Sequence, residues 1–248
     1  MTQVLLITGG SRGIGAATAL LAAQQGYAVA VNYTANTLAA DEVVRQIRAA
    51  GGTAITVQAD VADEAQVQAM FAKVDAKLGR LTALVNSAGV VDVAQRVDAQ
   101  SLARWRRLFE VNVFGTLLCA REAVRRMSTR HGGHGGTIVN VSSVAATLGA
   151  AGQYVDYAAT KGAIDSFTVG LAREVATEGV RVNGVRPGII DTEIHASGGQ
   201  PDRAQRLAHQ IPMQRPGTAP EIANTIVWLM SAQASYITGS MVDVTGGR

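Results

Sequence analysis

The sequence predicts an α/β protein. It should form one domain over residues 1–248, built on a doubly wound, seven-stranded parallel sheet with helices on both faces. Three observations carry that expectation. Short Val-, Ile- and Leu-rich runs alternate along the chain with longer amphipathic stretches, the pattern of successive βα units. The first apolar run ends in a glycine-rich turn, Thr8 to Gly15 (T-G-G-S-R-G-I-G), at the opening of an alanine-rich helix. No Pro/Ser-rich linker or shift in composition divides the 248 residues.

Composition narrows the functional classes. Hydrophobic residues make up 48%, ample for a core, while aromatics are only 4%, so Ala, Val, Leu and Ile must fill it. Cys119, the single cysteine, lies in the apolar run V-F-G-T-L-L-C-A and reads as small core filler. M-T-Q-V-L-L-I-T-G-G is already fold rather than a signal peptide, and no run approaches 18 apolar residues. A cytoplasmic protein with no membrane partner is expected. The formal charge of +3 gathers arginines between Arg96 and Arg130, among them Arg104, Arg106, Arg107, Arg121, Arg125 and Arg126. With Glu122 four before Arg126, they read as a solvated or interfacial helix face, and no nucleic-acid partner is expected. H-G-G-H-G-G at 131–136 reads as a flexible loop, and no metal is expected.

The elements follow in order. Residues 3–8 read as a buried parallel strand, and the helix after the glycine turn runs to about Gln25, where Gly26 ends it. Y-A-V-A-V-N-Y then supplies a second strand. The glycine spacing, Gly9, Gly13, Gly15, is G-x-x-x-G-x-G and not G-x-G-x-x-G. Such a turn serves as a tight βα connection, and on the first strand of an α/β chain it also lets backbone and a helix N-terminus approach a pyrophosphate. Asn32 stands at the end of the second strand, where many NAD-binding folds place an acid for the ribose 2′-hydroxyl. Its neutrality permits a 2′-phosphate, and Arg12 in the turn offers that phosphate a partner. NADP(H) is the preferred cofactor on this reading, with NAD(H) possible.

Helix 36–50 and strand 53–58 lead to Asp60-Val61, where Asp60 either caps the next helix or bonds an adenine amino group. Helix 63–78 and strand 82–86 lead to N-S-A-G, Asn86 to Gly89, a small-residue turn at a strand's carboxyl end. Residues 101–130 read as helical, with Asn112 a poor interior residue whose side chain must have a specific partner. Strand 137–142, helix 155–178 and strand 180–186 follow, and Pro187-Gly188 breaks regular structure in R-P-G-I-I-D-T. Residues 193–218 turn polar and irregular, with a short helix at 201–210, and read as a lid. A last helix at 219–231 precedes the final strand M-V-D-V.

Within the 155–178 helix, Tyr157 and Lys161 are four residues apart and so share one face. A cation near a phenol favours phenolate, which would fit Tyr157 for proton exchange with an alcohol or carbonyl. Ser143 ends the Val-rich run T-I-V-N-V-S-S shortly before it.

Taken together, T-G-G-S-R-G-I-G, Asp60-Val61, N-S-A-G, Asn112, Ser143, Y-A-A-T-K and P-G-I-I-D-T resemble the motifs of bacterial short-chain dehydrogenases/reductases, in the family's order and over the whole chain. Within that family the sequence is most similar to uncharacterised oxidoreductases and glucose-1-dehydrogenase-like members. Ser87 departs from it, since a second asparagine is usual there. The resemblance implies a Rossmann fold and a tetrad. Tyr157 would be the acid–base group, Lys161 would lower its pKa and bond the nicotinamide ribose, Ser143 would polarise the substrate oxygen, and Asn112 would hold a water. Tyr154 is not the acid–base tyrosine on this pattern, because Ala158 stands four residues on. Cofactor contacts are implied for Gly9, Ser11, Arg12, Gly13, Ile14, Gly15, Asn32, Tyr33, Asp60, Val61, Asn86, Ala88, Gly89, Pro187 and Gly188. Ile190 and Thr192 would seat the carboxamide.

The expected activity is NADP(H)-dependent interconversion of a small carbonyl and alcohol. The alternatives are sugar oxidation, reduction of 3-oxoacyl thioesters with Arg130 and Arg173 receiving an acyl carrier protein, and a non-catalytic redox sensor. A sensor would be expected to lack Tyr157 or Lys161, and both are present. Apolar stretches Val111–Ala120 and Ile164–Leu171 exceed a single buried stripe, so a homotetramer is expected, as the resemblance also implies.

Overall fold

The computed structural model describes residues 3–248. Seven strands form one parallel sheet: β1 (Gln3–Thr8), β2 (Tyr27–Tyr33), β3 (Ala54–Gln58), β4 (Ala83–Asn86), β5 (Gly136–Val141), β6 (Val180–Pro187) and, last in the chain, β9 (Met241–Val244). Their order is β3-β2-β1-β4-β5-β6-β9, every pair parallel, so the winding reverses between β1 and β4. This is the doubly wound arrangement the sequence predicts, and the reversal opens a crevice at the carboxyl ends of those two strands.

Strands packed on both faces must be apolar throughout, and every residue of β2 is buried. Two cores result. On one face α1 (Gly13–Gln24), α2 (Thr37–Ala49) and α10 (Ala219–Met230) cover Leu5, Ile7, Val29, Val31 and Val139. On the other, α3 (Glu64–Leu78), α5 (Gly115–Met127) and α7 (Val155–Val175) cover Val4, Leu6, Leu84 and Ile138. Cys119 lies in this second core, fully buried, its thiol pushed up to about 12 by burial.

The 101–130 stretch is not one helix. It divides into α4 (Leu102–Phe109), a π-turn over Glu110–Phe114 and α5. A π-turn widens the helix by one residue and re-aims the side chains on it. Here Asn112 faces Val90, and Gly115 lies so close to Val61 that a Cβ there would be 2.6 Å from Val61 Cγ2. Arg104 also departs from the solvated face expected of it. It is buried, paired with Asp156 on α7, whereas Glu122 does meet Arg126 at 2.8 Å.

Strand β6 continues through Pro187, whose carbonyl accepts from the Val144 N–H. A short parallel pair, β7 (Ile190–Asp191) with β8 (Gly217–Thr218), frames the lid. The single helix expected at 201–210 is instead two pieces, α9 (Arg203–Arg206) and a 3₁₀ turn at Ala208–Gln210, with α8 (Ile194–Ser197) ahead of them. Ile189, Ala204 and Ile211 form a small core of their own beneath these turns, so the lid packs as a unit. The remaining helix, α6 (Ala145–Leu148), follows Ser143 directly. Among the described residues no helix is long and apolar enough to cross a membrane.

Candidate active site

The expected site residues lie at the carboxyl edge of the sheet. Ser142 and Ser143 follow β5, and the structure separates their roles. Ser142 is buried and turned onto α7, where its hydroxyl donates to the Lys161 carbonyl (3.2 Å) and to Asp165 Oδ1 (2.5 Å). Ser143 lies close to the Tyr157 phenol and lowers the phenol's pKa. It also accepts from the Ala145 N–H at 3.1 Å.

Tyr157 and Lys161 share one face of α7, with the ammonium 5.6 Å from the ring centroid. Their electrostatics differ from the expectation. Burial pushes the Tyr157 phenol up to about 12, and Ser143 only partly opposes it. Lys161 does not offset this rise, and its Nζ donates to the Val141 carbonyl at 2.8 Å. Burial in turn pulls the ammonium down to about 8, against the field of Asp165. Desolvation thus dominates both groups.

Asn112 uses its side chain as a two-point clamp. Its Oδ1 accepts from Val90 N (2.8 Å), and its Nδ2 donates to Val90 O (2.9 Å) and to Thr160 Oγ1 (3.2 Å). The amide is therefore committed to the loop after N-S-A-G and to Thr160 of α7. This clamp places Gly89 beside the site: a Cβ there would stand 3.5 Å from Asn112 Oδ1 and 3.7 Å from Lys161 Nζ.

The glycine turn fits an anionic ligand. Gly9 has φ +62°, and a Cβ on it would meet Ala88 Cα at 2.9 Å, while one on Gly15 would meet the Gly9 carbonyl at 2.3 Å. Arg12 occupies the N-cap of α1 without bonding any first-turn N–H, and the first turn holds no acid. A capping side chain is worth about 1 kcal/mol, so a bare helix start is a costly choice that suits a phosphate. Ser11, partly buried, and Arg12, exposed, border it, and Arg12 has no ion pair among the described residues. Ile14 packs into the core below, and Thr192 and the Glu193 carboxylate lie against Gly13.

Other residues expected at the cofactor also hold the fold together. Asn32 is buried and does not present its amide to a ribose. Its Oδ1 accepts from Gly9 N (3.2 Å), and its Nδ2 donates to Val57 O (3.2 Å) and Ala59 O (3.0 Å), which ties the glycine turn to β3. Tyr33 is also buried, in the core. Asn86 donates to Asn140 Oδ1 at 2.9 Å inside the sheet, while its own Oδ1 has no partner. Asp60 does not cap α3, since Asp63 does; Asp60 Oδ1 accepts from Ala62 N, and Val61 packs on Gly115. The Ala88 N–H is held by Thr8 Oγ1 (3.1 Å), as is that of Ser87, so the turn keeps its bonds without a second asparagine. Gly188 lets β6 approach Thr245, where a Cβ would meet Thr245 Cα at 2.8 Å. Ile190 is buried, and its carbonyl bonds the His195 ring at 2.9 Å.

The sequence reading missed Thr8, Asn140, Thr160 and Thr168. Asn140 donates to Thr168 Oγ1, and Thr160 donates to the Tyr157 carbonyl. A polar residue in an otherwise apolar strand, as in T-I-V-N-V, was the available signal. Tyr154 is engaged by the lid, since Gln200 donates to its hydroxyl at 2.8 Å and Arg203 stacks 5.0 Å from its ring centroid.

A cleft of about 680 Å³ opens at the opposite, amino end of the sheet among Gln3, Tyr27, Arg80, Thr137, Arg181 and Ser231. Open parallel sheets bind ligands at their carboxyl ends, so the end of the sheet that carries Tyr157 is the candidate active site.

Known proteins agree with this arrangement. The model of the family described as enoyl-(acyl carrier protein) reductase matches residues 9–248. An uncharacterized oxidoreductase of Escherichia coli (strain K12), YgfF, is 57% identical over 245 residues, covering 99% of each chain. The 3-oxoacyl-[acyl-carrier-protein] reductase FabG of Staphylococcus aureus is 39% identical and is covered to 98%, with all of this chain aligned. A short chain dehydrogenase from Burkholderia cenocepacia J2315, solved in complex with NADP, superposes with TM-score 0.91 at 33% identity, covering 100% of this chain and 98% of that one. The chain belongs to the short-chain dehydrogenase/reductase family of oxidoreductases.

The buried Lys161 gives a pH test. Below pH 8 both folded and unfolded chains hold its proton, and the fold carries a buried ammonium. Between pH 8 and 10.5 the unfolded chain still binds a proton that the folded chain has released, so rising pH favours folding. Tyr157, moved from 10 to about 12, acts in the opposite sense only above pH 10. Urea unfolding of wild type and Lys161→Met should therefore give a stability difference that is flat below pH 7.5. It should then move in favour of wild type from pH 8 to 10. A difference that stays flat to pH 10 would contradict the burial of the ammonium.

Proposed function

We propose that the protein is an NADP(H)-dependent oxidoreductase that interconverts a carbonyl and an alcohol, with Tyr157 as its acid–base group. The observation that carries this reading is the convergence of Tyr157, Ser143 and Lys161 beside a glycine turn whose helix start is left uncapped. NADP(H), when bound, supplies or accepts the hydride. Gly9, Gly13, Gly15 and the start of α1 would hold its phosphates, and Arg12 the 2′-phosphate. Thr192, against Gly13, belongs to the same wall.

The chain's own residues handle the proton and the oxygen. Ser143 donates to the substrate oxygen and fixes it beside the phenol, a preset donor where negative charge develops. Tyr157 gives that oxygen its proton in reduction and takes it back in oxidation. Burial raises the phenol's pKa, which keeps it in the protonated form that donates in reduction. Lys161, on the same face of α7 with its ammonium 5.6 Å from the ring, would bond the nicotinamide ribose.

Reduction of 3-oxoacyl thioesters has specific support as the substrate reading. The Staphylococcus aureus relative is a 3-oxoacyl-[acyl-carrier-protein] reductase aligned over the full chain. Arg130 and Arg173 are exposed here and make no ion pair among the described residues. A panel of ketones, sugars and 3-oxoacyl thioesters, followed by NADPH absorbance, separates the readings, and oxidation of a sugar alone would overturn this one.

Tyr157→Phe should lower turnover of the best panel substrate by more than about a hundredfold while NADPH binding is retained, because only the proton donor is lost. A variant that keeps more than a hundredth of the rate would mean that another group moves the proton.

Arg12→Ala should weaken NADPH binding far more than NADH binding in a fluorescence titration, since one charge-assisted contact disappears. Equal weakening of both would remove the case for NADP.

Assembly is the last element of the reading. Phe114 is 53% exposed and Trp105 36%, with Leu117, Phe167, Val169 and Leu171 only partly covered on α5 and α7. A homotetramer of 25.8 kDa chains, about 100 kDa in all, would bury this apolar surface by two-fold contacts. Light scattering at micromolar concentration should give that mass, and the mass of one chain would refute it.

A further inference from the structure

The Arg104–Asp156 ion pair has no place in the chemistry above, yet it touches two parts of the site. Both side chains are almost fully buried, at 6% and 2% exposure. The contact is two-pronged: Arg104 Nε donates to Asp156 Oδ2 (2.5 Å) and Nη2 to Oδ1 (3.3 Å). The third guanidinium nitrogen, Nη1, donates to the Val93 carbonyl at 2.6 Å. Asp156 Oδ1 also accepts the backbone N–H of Tyr157 at 2.9 Å. One guanidinium therefore joins α4, the 90–93 loop and the first turn of α7, which carries the tyrosine.

Stability alone does not account for such a pair, because apolar residues of similar volume often serve a fold as well or better. What a planar, forked guanidinium adds is fixed geometry. It also balances charge: an unpaired Asp156 carboxylate beside Tyr157 would oppose phenolate formation.

We propose that Arg104 and Asp156 are positioning residues for the acid–base tyrosine, fixing the first turn of α7 against the 90–93 loop and cancelling the charge of the carboxylate that holds the Tyr157 N–H. This rests on the reading of Tyr157 given under Proposed function. Beside the phenol stand Ser143 after β5 and Lys161 on α7, and Asp165 faces Lys161 from the same helix; further charged groups lie on the neighbouring elements. Arg186 of β6 pairs with Asp165 and with Asp243 of β9. Asp92 pairs with Arg107 of α4 and lies 4.0 Å from Arg104, and His195 and Arg203 approach from the lid. The variants below leave all of these in place.

The test compares wild type with Arg104→Met, Asp156→Asn and the double variant as full chains. Readouts are kcat and KM against pH, NADPH affinity, melting temperature and an ultraviolet titration of the phenol, read as each protein minus its Tyr157→Phe counterpart. Arg104→Met should move the phenol's titration upward by about one unit or more. It should lower kcat about tenfold or more, with NADPH affinity held within about twofold. Asp156→Asn keeps an acceptor for the Tyr157 N–H and leaves Arg104 uncompensated, so the phenol should move downward. The double variant should return the titration close to wild type, while kcat stays low because the fork is gone. Unchanged titration and kcat in Asp156→Asn, with only melting affected, would overturn the proposal, and that near-isosteric variant decides the matter if Arg104→Met does not fold. If wild type turns over no carbonyl or alcohol, the functional reading fails. The ultraviolet titration then still judges the pair, for which an unmoved phenol is the overturning result.

Discussion

The structure depends on how backbone groups are satisfied where the strands stop. At the carboxyl edge of a parallel sheet the ladder runs out beneath a surface that must stay open to ligand, and a buried unpaired amide or carbonyl costs about 1–3 kcal/mol. Asparagine side chains, each preceded by valine in the sequence, serve this edge. Asn32 ties the glycine turn to β3, Asn140 joins β4 to α7, Asn183 binds the chain entering β9, and Asn112 holds the loop after β4. Thr8, Asn86, Asn140 and Gly184 form one row across four strands. The positions of Gly9, Gly89, Ser143 and Lys161 follow from that stitching, because each lies within a few residues of a stitched point or packs on one.

Two adjacent serines illustrate how finely the edge is resolved. Ser142 and Ser143 have the same side chain, but extended backbone sends neighbours to opposite sides. Ser142 therefore closes a polar chain through Asp165 to Arg186 that anchors α7, and Ser143 is left to meet the phenol. The lysine a turn beyond is anchored as well, by the Val141 carbonyl. The acid–base pair thus sits in a frame whose members are individually fixed, with desolvation the strongest influence on both.

The fold was largely legible in the sequence because a sheet buried on two faces leaves continuous apolar runs, and these mark all seven strands. The glycine turn and the Tyr157–Lys161 spacing were legible because both are local. What escaped the reading is what depends on distant chain. The π-turn at Glu110–Phe114 exists where Asn112 must reach Val90 and Gly115 must approach Val61, and neither neighbour is visible from the helix's own periodicity. Arg104 reads as one of several surface arginines until α7 brings Asp156 to it. Asn32 stands in sequence at the expected ribose position, but its amide points into the sheet edge. The shift of Tyr157 opposes the one expected from a nearby lysine because spacing reports proximity and not solvent exclusion.

Cys119 has a consequence of its own. Its sulfur is enclosed between the sheet and the outer helices, and its proton is held well beyond the range in which thiols react. The molecule therefore carries one reporter, placed deep in the layer that α3, α5 and α7 share. A thiol-modifying reagent can mark it only in those moments when that layer parts. The 193–218 segment packs on a small core of its own, apart from the layer that encloses Cys119. Its labelling rate is a clock for breathing of the core.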